Sequence, residues 1–417
     1  MKECNLGLIN PLEAIIISFC FLGILLYRRV NLGITLNATA LLLGFLTLNW
    51  IEIPTVIVNT TVNAYTIIIT LTTFLIMLLS QLYKGTKVIN VLSESLSKLI
   101  KNSKIVSSVL PAIIGFLPVA GGALMSAPLV DVEAGKLNLK PERKAYINLW
   151  FRHTIFPVYP VSQLLILTVA LTGITMQALI LRQIPVVLVM ITVGYIIGFW
   201  KVSPQKKKVK KESEKTNFGI KSFIWSFSPI LATIIVVVCL DLAGLISIKG
   251  LDVLSASLIG LIVLVLISKL TMQTFLKPLK NYEIYGVTFA VYGAFLLKNV
   301  VDASNLSQTF QALVANGSIN TTMLLTLIPA ALGFIMGSPS GSIAISVPIL
   351  SGILDFSPKT AALLYMSAYL GYLIAPTHLC FTFTAEYFKC SMGKMYKYVI
   401  PSFIISFTTA LLIYFLF

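Results

Sequence analysis

Residues 111–130 read PAIIGFLPVAGGALMSAPLV, and residues 329–350 read PAALGFIMGSPSGSIAISVPIL. Both begin P-A-x-x-G-F and both end S-x-P, so Ser126 and Pro128 answer Ser346 and Pro348. The second stretch carries two extra residues at its centre. The match continues downstream, where at a constant offset Tyr146 answers Tyr365 and Pro157 answers Pro376. Chance likeness between glycine-rich apolar segments is the plain alternative. Shared order, spacing and downstream match favour an internal repeat.

The surroundings say what kind of repeat it is. The 417-residue chain is 57% hydrophobic and 11% charged, with a mean hydropathy of +0.93. Soluble proteins carry roughly a quarter charged residues, and no soluble fold hides this much apolar surface. Apolar runs fall at about 10–27, 30–50, 64–83, 145–171 and 177–200, then at 222–246, 254–270, 283–297, 360–388 and 398–416. Each approaches the ~20 residues that cross a bilayer as helix. The centres GFLPVAGG and GSPSGS cannot continue as helix, because proline lacks a donor and glycine disfavours helix. In hydrocarbon such breaks survive only where protein or a water-filled cavity surrounds them. The sequence therefore predicts an all-α integral membrane protein with about ten transmembrane helices. Two re-entrant hairpins, 105–130 and 322–350, complete two inverted-topology repeats, 1–200 and 222–417. Residues 201–221 carry eight lysines and read as a solvated linker.

Basic residues orient the chain. With both broken stretches treated as hairpins, twenty-five of the 31 Lys and Arg fall on one side, which the positive-inside rule makes cytoplasmic. The linker 201–221 is then cytoplasmic, both termini lie outside, and the location is the plasma membrane. Treated as single crossings, the same stretches split the basic loops between two faces. The net charge of +16 thus reports orientation. No basic stripe with interleaved aromatics suggests nucleic acid. The five cysteines form no CxxC, and their odd number argues against a disulfide framework. The first apolar run is read as retained, since no small-residue cleavage site clearly comes after it.

The polar residues within the apolar runs are few. Half-helices that meet at a break turn N-terminal NH groups inward, and these favour anions. Interrupted segments at matching places in two halves point to a transporter's midplane site. That singles out Gly121, Gly122 and Ser126 in the first hairpin, and Ser338, Ser340, Gly341 and Ser342 in the second. HTIFPVYPVS (153–162) and LIAPTHLCFT (373–382) form a second pair of proline-broken elements. They hold the chain's two histidines, His153 and His378, with Arg152 and Thr377 beside them. Arg152 is either a fork for an anionic substrate or a snorkelling interfacial residue. The histidines either carry protons and bind substrate or pack as neutral, bonded rings. Asp241, Glu283, Glu386 and Arg182 read as residues of helix ends or the interface. Residues 84–104 and 298–321 read as amphipathic helices preceding each hairpin, lying in the interface, with core packing as the alternative. There is no Walker A, GxSxG or HExxH sequence and no cluster with metal-ligand spacing, so neither an enzyme nor an ATP-driven pump is indicated.

The strings GFLPVAGGALMSAPLV, RKAYINLWFRHTIFPVYP and YLGYLIAPTHLCFT resemble the domain-of-unknown-function 401 family, over nearly the whole chain. That family is grouped with the ion transporter superfamily of citrate, gluconate, dicarboxylate and Na+/H+ carriers. The resemblance implies a secondary carrier in which hairpins and broken helices form a transport domain moving against a scaffold, often in a homodimer. It implies a site at Gly121–Gly122, Ser338–Gly341 and Thr377. The Ser-Asn-Thr motifs of the sodium/dicarboxylate branch are absent from these hairpins. The functional expectation is an elevator-type symporter of a small organic anion with H+ or Na+ as coupling ion and no other cofactor. A cation/proton antiporter using Asp241 and the histidines is the alternative, and a channel or a non-transporting scaffold is the alternative of another class. The partners expected are membrane lipid and a small anionic solute.

Overall fold

The computed structural model describes residues 10–100, 102–117, 122–202, 219–243, 248–304 and 320–416, and Gly121 lies outside them. Every regular element among the described residues is a helix. Among the described residues, seven helical stretches are long and apolar enough to cross a membrane, the interrupted Pro141–Thr172 counted as one, and they account for most of the expected runs. The protein is a multi-pass membrane protein.

Its helices form two groups. The first contains α1 (Pro11–Tyr27), α2 (Leu32–Thr47), α3 (Glu52–Val62), α4 (Ala64–Gly85), α11 (Ile220–Ala243), α12 (Leu251–Ser268), the short α13 (Met272–Leu276) and α14 (Tyr282–Ala303). Here α2 lies along α14, α4 packs on α12 and α14, and α12 packs on α11. Asn37 of α2 donates to the Phe289 carbonyl of α14 at 3.1 Å, a polar link of the kind that fastens helices where lipid supplies no hydrophobic drive.

The second group contains both broken stretches and the helices downstream of each. It comprises α6 (Ser103–Gly115), α7 (Ala123–Gly135), α8 (Pro141–Arg152), α9 (Gln163–Thr172) and α10 (Met176–Phe199). From the other half come α15 (Thr321–Met336), α16 (Pro339–Ser351), α17 (Pro358–Leu373), α18 (Leu379–Tyr387) and α19 (Met392–Leu416). Contacts are reciprocal between the halves. Helix α6 packs on α8 as α15 does on α17, α7 meets α18 as α16 meets α9, and α8 meets α19 as α17 meets α10. The repeated glycine of P-A-x-x-G-F explains the first pair. A Cβ on Gly115 would strike the Arg152 carbonyl, and one on Gly333 would strike the Ala368 carbonyl. Only glycine lets these backbones approach so closely.

The two stretches break where their centres predict, after Gly115 and at Gly337–Ser338, while Pro111, Pro128, Pro329 and Pro348 sit inside helices. Two expectations change. Residues 84–104 do not form one helix: α5 (Val88–Leu99) ends before α6 begins. Val88, Ile89, Leu92 and Leu96 are buried, and α5 packs on α11, so most of its apolar stripe covers protein while Leu99 stays exposed. Residues 298–303 continue α14 rather than starting a new helix, because no breaker intervenes after Leu297. Residues 305–319 lie outside the described ones.

Candidate functional site

Two interrupted helices meet at the centre of the second group. Helix α8 stops at Arg152, and ten residues with one 3-10 turn (Phe156–Val158) pass before α9. Helix α17 stops at Leu373, and α18 starts at Leu379. Each gap holds one of the matched prolines, Pro157 or Pro376, which cannot donate a helical bond. The carbonyls freed by the gaps are bonded by tyrosine hydroxyls. Tyr369 donates to His153 O at 2.5 Å, Tyr365 to Phe156 O at 3.2 Å, and Tyr396 to Ile374 O at 2.8 Å. Non-helical backbone in these gaps is thereby satisfied by protein.

Between these gaps and the second hairpin lies a cavity of about 220 Å³. Three helix N-termini open onto it: Ser162–Leu164 of α9, Ser338–Ser340 of α16, and His378–Cys380 of α18. Helix N-termini carry unpaired NH groups and partial positive charge. Arg152, His153, Tyr369 and Tyr372 form another wall. Met77 of α4 and Glu283 and Val287 of α14 close the side facing the first group. The cavity thus lies on the seam between the two helix groups. A neighbouring cavity of about 180 Å³ shares Gln163, Glu283, Ser338 and Ser340 with it and extends toward α2.

The polar side chains are tightly placed. Arg152 is 1% exposed, and its guanidinium donates to the carbonyls of Ile114 and Leu117 at 2.9 and 3.1 Å. It therefore caps the C-terminal end of α6, where the helix dipole is negative, besides lining the cavity. His153 Nδ1 lies 2.7 Å from the Leu149 carbonyl, so that nitrogen carries the proton and Nε2 offers a lone pair, 3.3 Å from the Tyr372 hydroxyl. His378 packs against Tyr372 with ring centroids 3.9 Å apart and the rings tilted by 40°. Its two ring nitrogens are buried without a well-formed hydrogen bond, within looser reach of the Leu373 backbone. His153, His378 and Cys380 together offer three metal-ligating atoms within 4.8 Å of one another.

The profile of a family described as "Protein of unknown function (DUF401)" matches residues 13–417. The chain belongs to the DUF401 family. No curated protein matches it significantly. Among solved structures, its fold is similar to that of the YdaH transporter of Alcanivorax borkumensis, with a TM-score of 0.62 and 15% identity over 86% of each chain. It is also similar to MtrF of Neisseria gonorrhoeae, described with a class of antimetabolite efflux pumps. There the TM-score is 0.53 and the identity 16%, over 87% of this chain and 83% of that one.

In this DUF401 chain the cavity gathers five of the residues singled out in the sequence: Arg152, His153, Ser338, Ser340 and His378. Five others lie elsewhere. Ser126 bonds back to Ala123 O within its own helix. Ser342 donates to Pro329 O at 2.6 Å and ties α16 to α15. Thr377 donates to Phe334 O at 3.2 Å at the end of α15. Gly341 faces Met336 and Leu32, and Gly122 heads α7 outside the cavity lining. Ser338 lines the cavity but also caps its own helix through Gly341 N.

Sequence reasoning missed Glu283, Gln163, Tyr369, Tyr372 and Cys380. Glu283 comes just after Lys280 and Asn281 and so read as interfacial, yet α14 carries it to the cavity, where Gln81 donates to it at 3.1 Å. The tyrosines had one available signal: YMSAYLGY places Tyr365, Tyr369 and Tyr372 at helical spacing on one face. Asp241 sits apart, bonded to Gln177 beside a different cavity.

Proposed function

We propose that this protein is a secondary active transporter for a small organic anion of the carboxylate class, coupled to H+ or Na+. The observation that carries the reading is the convergence of three helix N-termini on one cavity that Arg152 and two buried histidines also line. Such an arrangement binds a carboxylate without a full positive charge at every contact. The volume suits a molecule of a few carbons. The reciprocal packing of the halves supports an inverted repeat, with the two broken stretches as re-entrant hairpins. The position of the cavity between two helix groups supports an elevator, in which the hairpin group carries the site past the group built on α2, α4 and α14. The resemblance to the ion transporter superfamily points the same way. We place the protein in the plasma membrane with residues 201–221 cytoplasmic and both termini outside, as a homodimer.

Export is the direction suggested by the antimetabolite efflux class of the second structural neighbour. Antiport through Asp241 and the histidines finds less support, since Asp241 lies away from the cavity that holds them.

The test is uptake into proteoliposomes under an imposed pH or sodium gradient, with labelled mono-, di- and tricarboxylates. Saturable, gradient-dependent flux is expected. Cation-triggered proton movement without anion flux would move the assignment to antiport, and unitary conductance would make it a channel.

A further inference from the structure

We infer that His153, His378 and Cys380 form a binding site for a borderline-soft divalent metal ion of the zinc class, open on one side to the central cavity. His153 comes from the end of α8, whereas His378 and Cys380 come from the start of α18. The three side chains meet only because both interrupted helices reach the same point.

Four observations converge. The ligating atoms lie within 4.8 Å of one another. Zn–N and Zn–S bonds of about 2.0–2.3 Å in a tetrahedron set ligands roughly 3.3–3.6 Å apart, so closure needs a movement of about 1 Å, within reach of side-chain rotation. His153 is already arranged as a ligand, because the Leu149 carbonyl holds its Nδ1 proton and fixes the tautomer with the Nε2 lone pair directed outward; the Tyr372 hydroxyl meets that lone pair at 3.3 Å and must turn aside for the ion. Metal-bound histidines characteristically have such an outer acceptor. His378 is 1% exposed, and neither of its ring nitrogens has a well-formed hydrogen bond. A buried polar ring without a good partner is costly, and an ion is one partner that would satisfy it. Cys380 is 5% exposed, and a thiolate there would lie in the first turn of α18, where backbone NH groups favour negative charge.

The charge balance permits the ion. Arg152 is the nearest cation, and its guanidinium faces the negative end of α6 through Ile114 and Leu117. Thiolate formation supplies one negative charge, and Glu283 lines the same cavity. Two imidazoles and a thiolate suit zinc and its neighbours, whereas Na+ and Mg2+ prefer oxygen. Three protein ligands leave a fourth position facing the cavity. There water completes the site, or a carboxylate of the transported anion does; that last point alone rests on the function proposed above.

The test uses the purified full chain in detergent, without added anion, titrated with Co2+ as a spectroscopic stand-in for zinc. One equivalent should bind, with a thiolate-to-cobalt charge-transfer band, and zinc should displace it. Cys380→Ser should abolish the band, and Cys380→His should keep binding while losing it. His378→Gln and His153→Gln should weaken binding about tenfold or more, the scale seen even for outer partners of metal ligands. Cys20→Ser and Cys239→Ser should change nothing. Absence of the band in wild type, or its persistence in Cys380→Ser, overturns the proposal. The readout is independent of flux: an intact band in a protein that moves no anion would sink the transport reading and leave the metal site standing.

Discussion

The hydroxyl of Tyr369 donates to the carbonyl oxygen of His153 at 2.5 Å, so a side chain of the C-terminal half closes a backbone gap in the N-terminal half. Both groups are buried. Tyr369→Phe removes the donor and leaves the carbonyl unsatisfied, at a cost of about 1–3 kcal/mol. The expected result is a lower Tm in detergent. Tyr195→Phe, on the exposed face of α10, should leave Tm unchanged. Equal Tm values for the two variants would mean that Tyr369 does not support the gap.

The paired hairpin glycines make a sharper contrast. Gly115→Ala and Gly333→Ala each drive a methyl group into a backbone carbonyl of the facing helix. Backbone cannot step aside as a flexible side chain can, and overpacking costs about 1–3 kcal/mol. Both variants should give less folded protein and a lower Tm. Gly23→Ala meets nothing within 4 Å. It should be neutral or stabilising by about 0.5–1 kcal/mol, since alanine is the better helix former. Size-exclusion recovery and thermal unfolding read all three.

Arg152 holds two carbonyls at once, Ile114 O and Leu117 O. A lysine keeps the charge but lacks the planar fork that bridges two acceptors. Arg152→Lys should therefore lower Tm and, on the proposed function, reduce anion uptake well below wild type. Wild-type uptake in Arg152→Lys would show that the charge alone suffices.

The helix breaks were legible because proline and glycine state their backbone needs in the sequence. P-A-x-x-G-F located both broken stretches, and Pro157 and Pro376 located both gaps. The histidines were legible as rare polar residues beside those gaps. The double role of Arg152 was not, because its partners are backbone carbonyls of another helix, and a carbonyl has no residue identity to read. Glu283 misled for a related reason: its sequence neighbours are interfacial, and only the packing of α14 brings it to the cavity. The stripe of α5 looked like an interfacial face, since periodicity reports an apolar surface without naming what covers it. Ser126, Ser342 and Thr377 look like ion ligands in sequence, but here their hydroxyls bond helix carbonyls, as short polar side chains commonly do.

Cys390 lies between α18 and α19, outside the spans, and gives a prediction in pH. Burial pushes its thiol above the ordinary range, and the carboxylate of Glu142 pushes the same way. A raised value keeps the thiol neutral near pH 7, and the thiolate forms only as pH climbs higher. The thiolate is the reactive form. In a variant that retains Cys390 alone, maleimide labelling near pH 7 should be slower than for a free cysteine and should accelerate as pH rises. Glu142→Gln removes one of the two causes and should speed labelling at a given pH, without abolishing the pH dependence. Adduct formation tracked by intact-mass spectrometry decides it. Unchanged or slower labelling in Glu142→Gln would mean that this carboxylate does not act on the thiol.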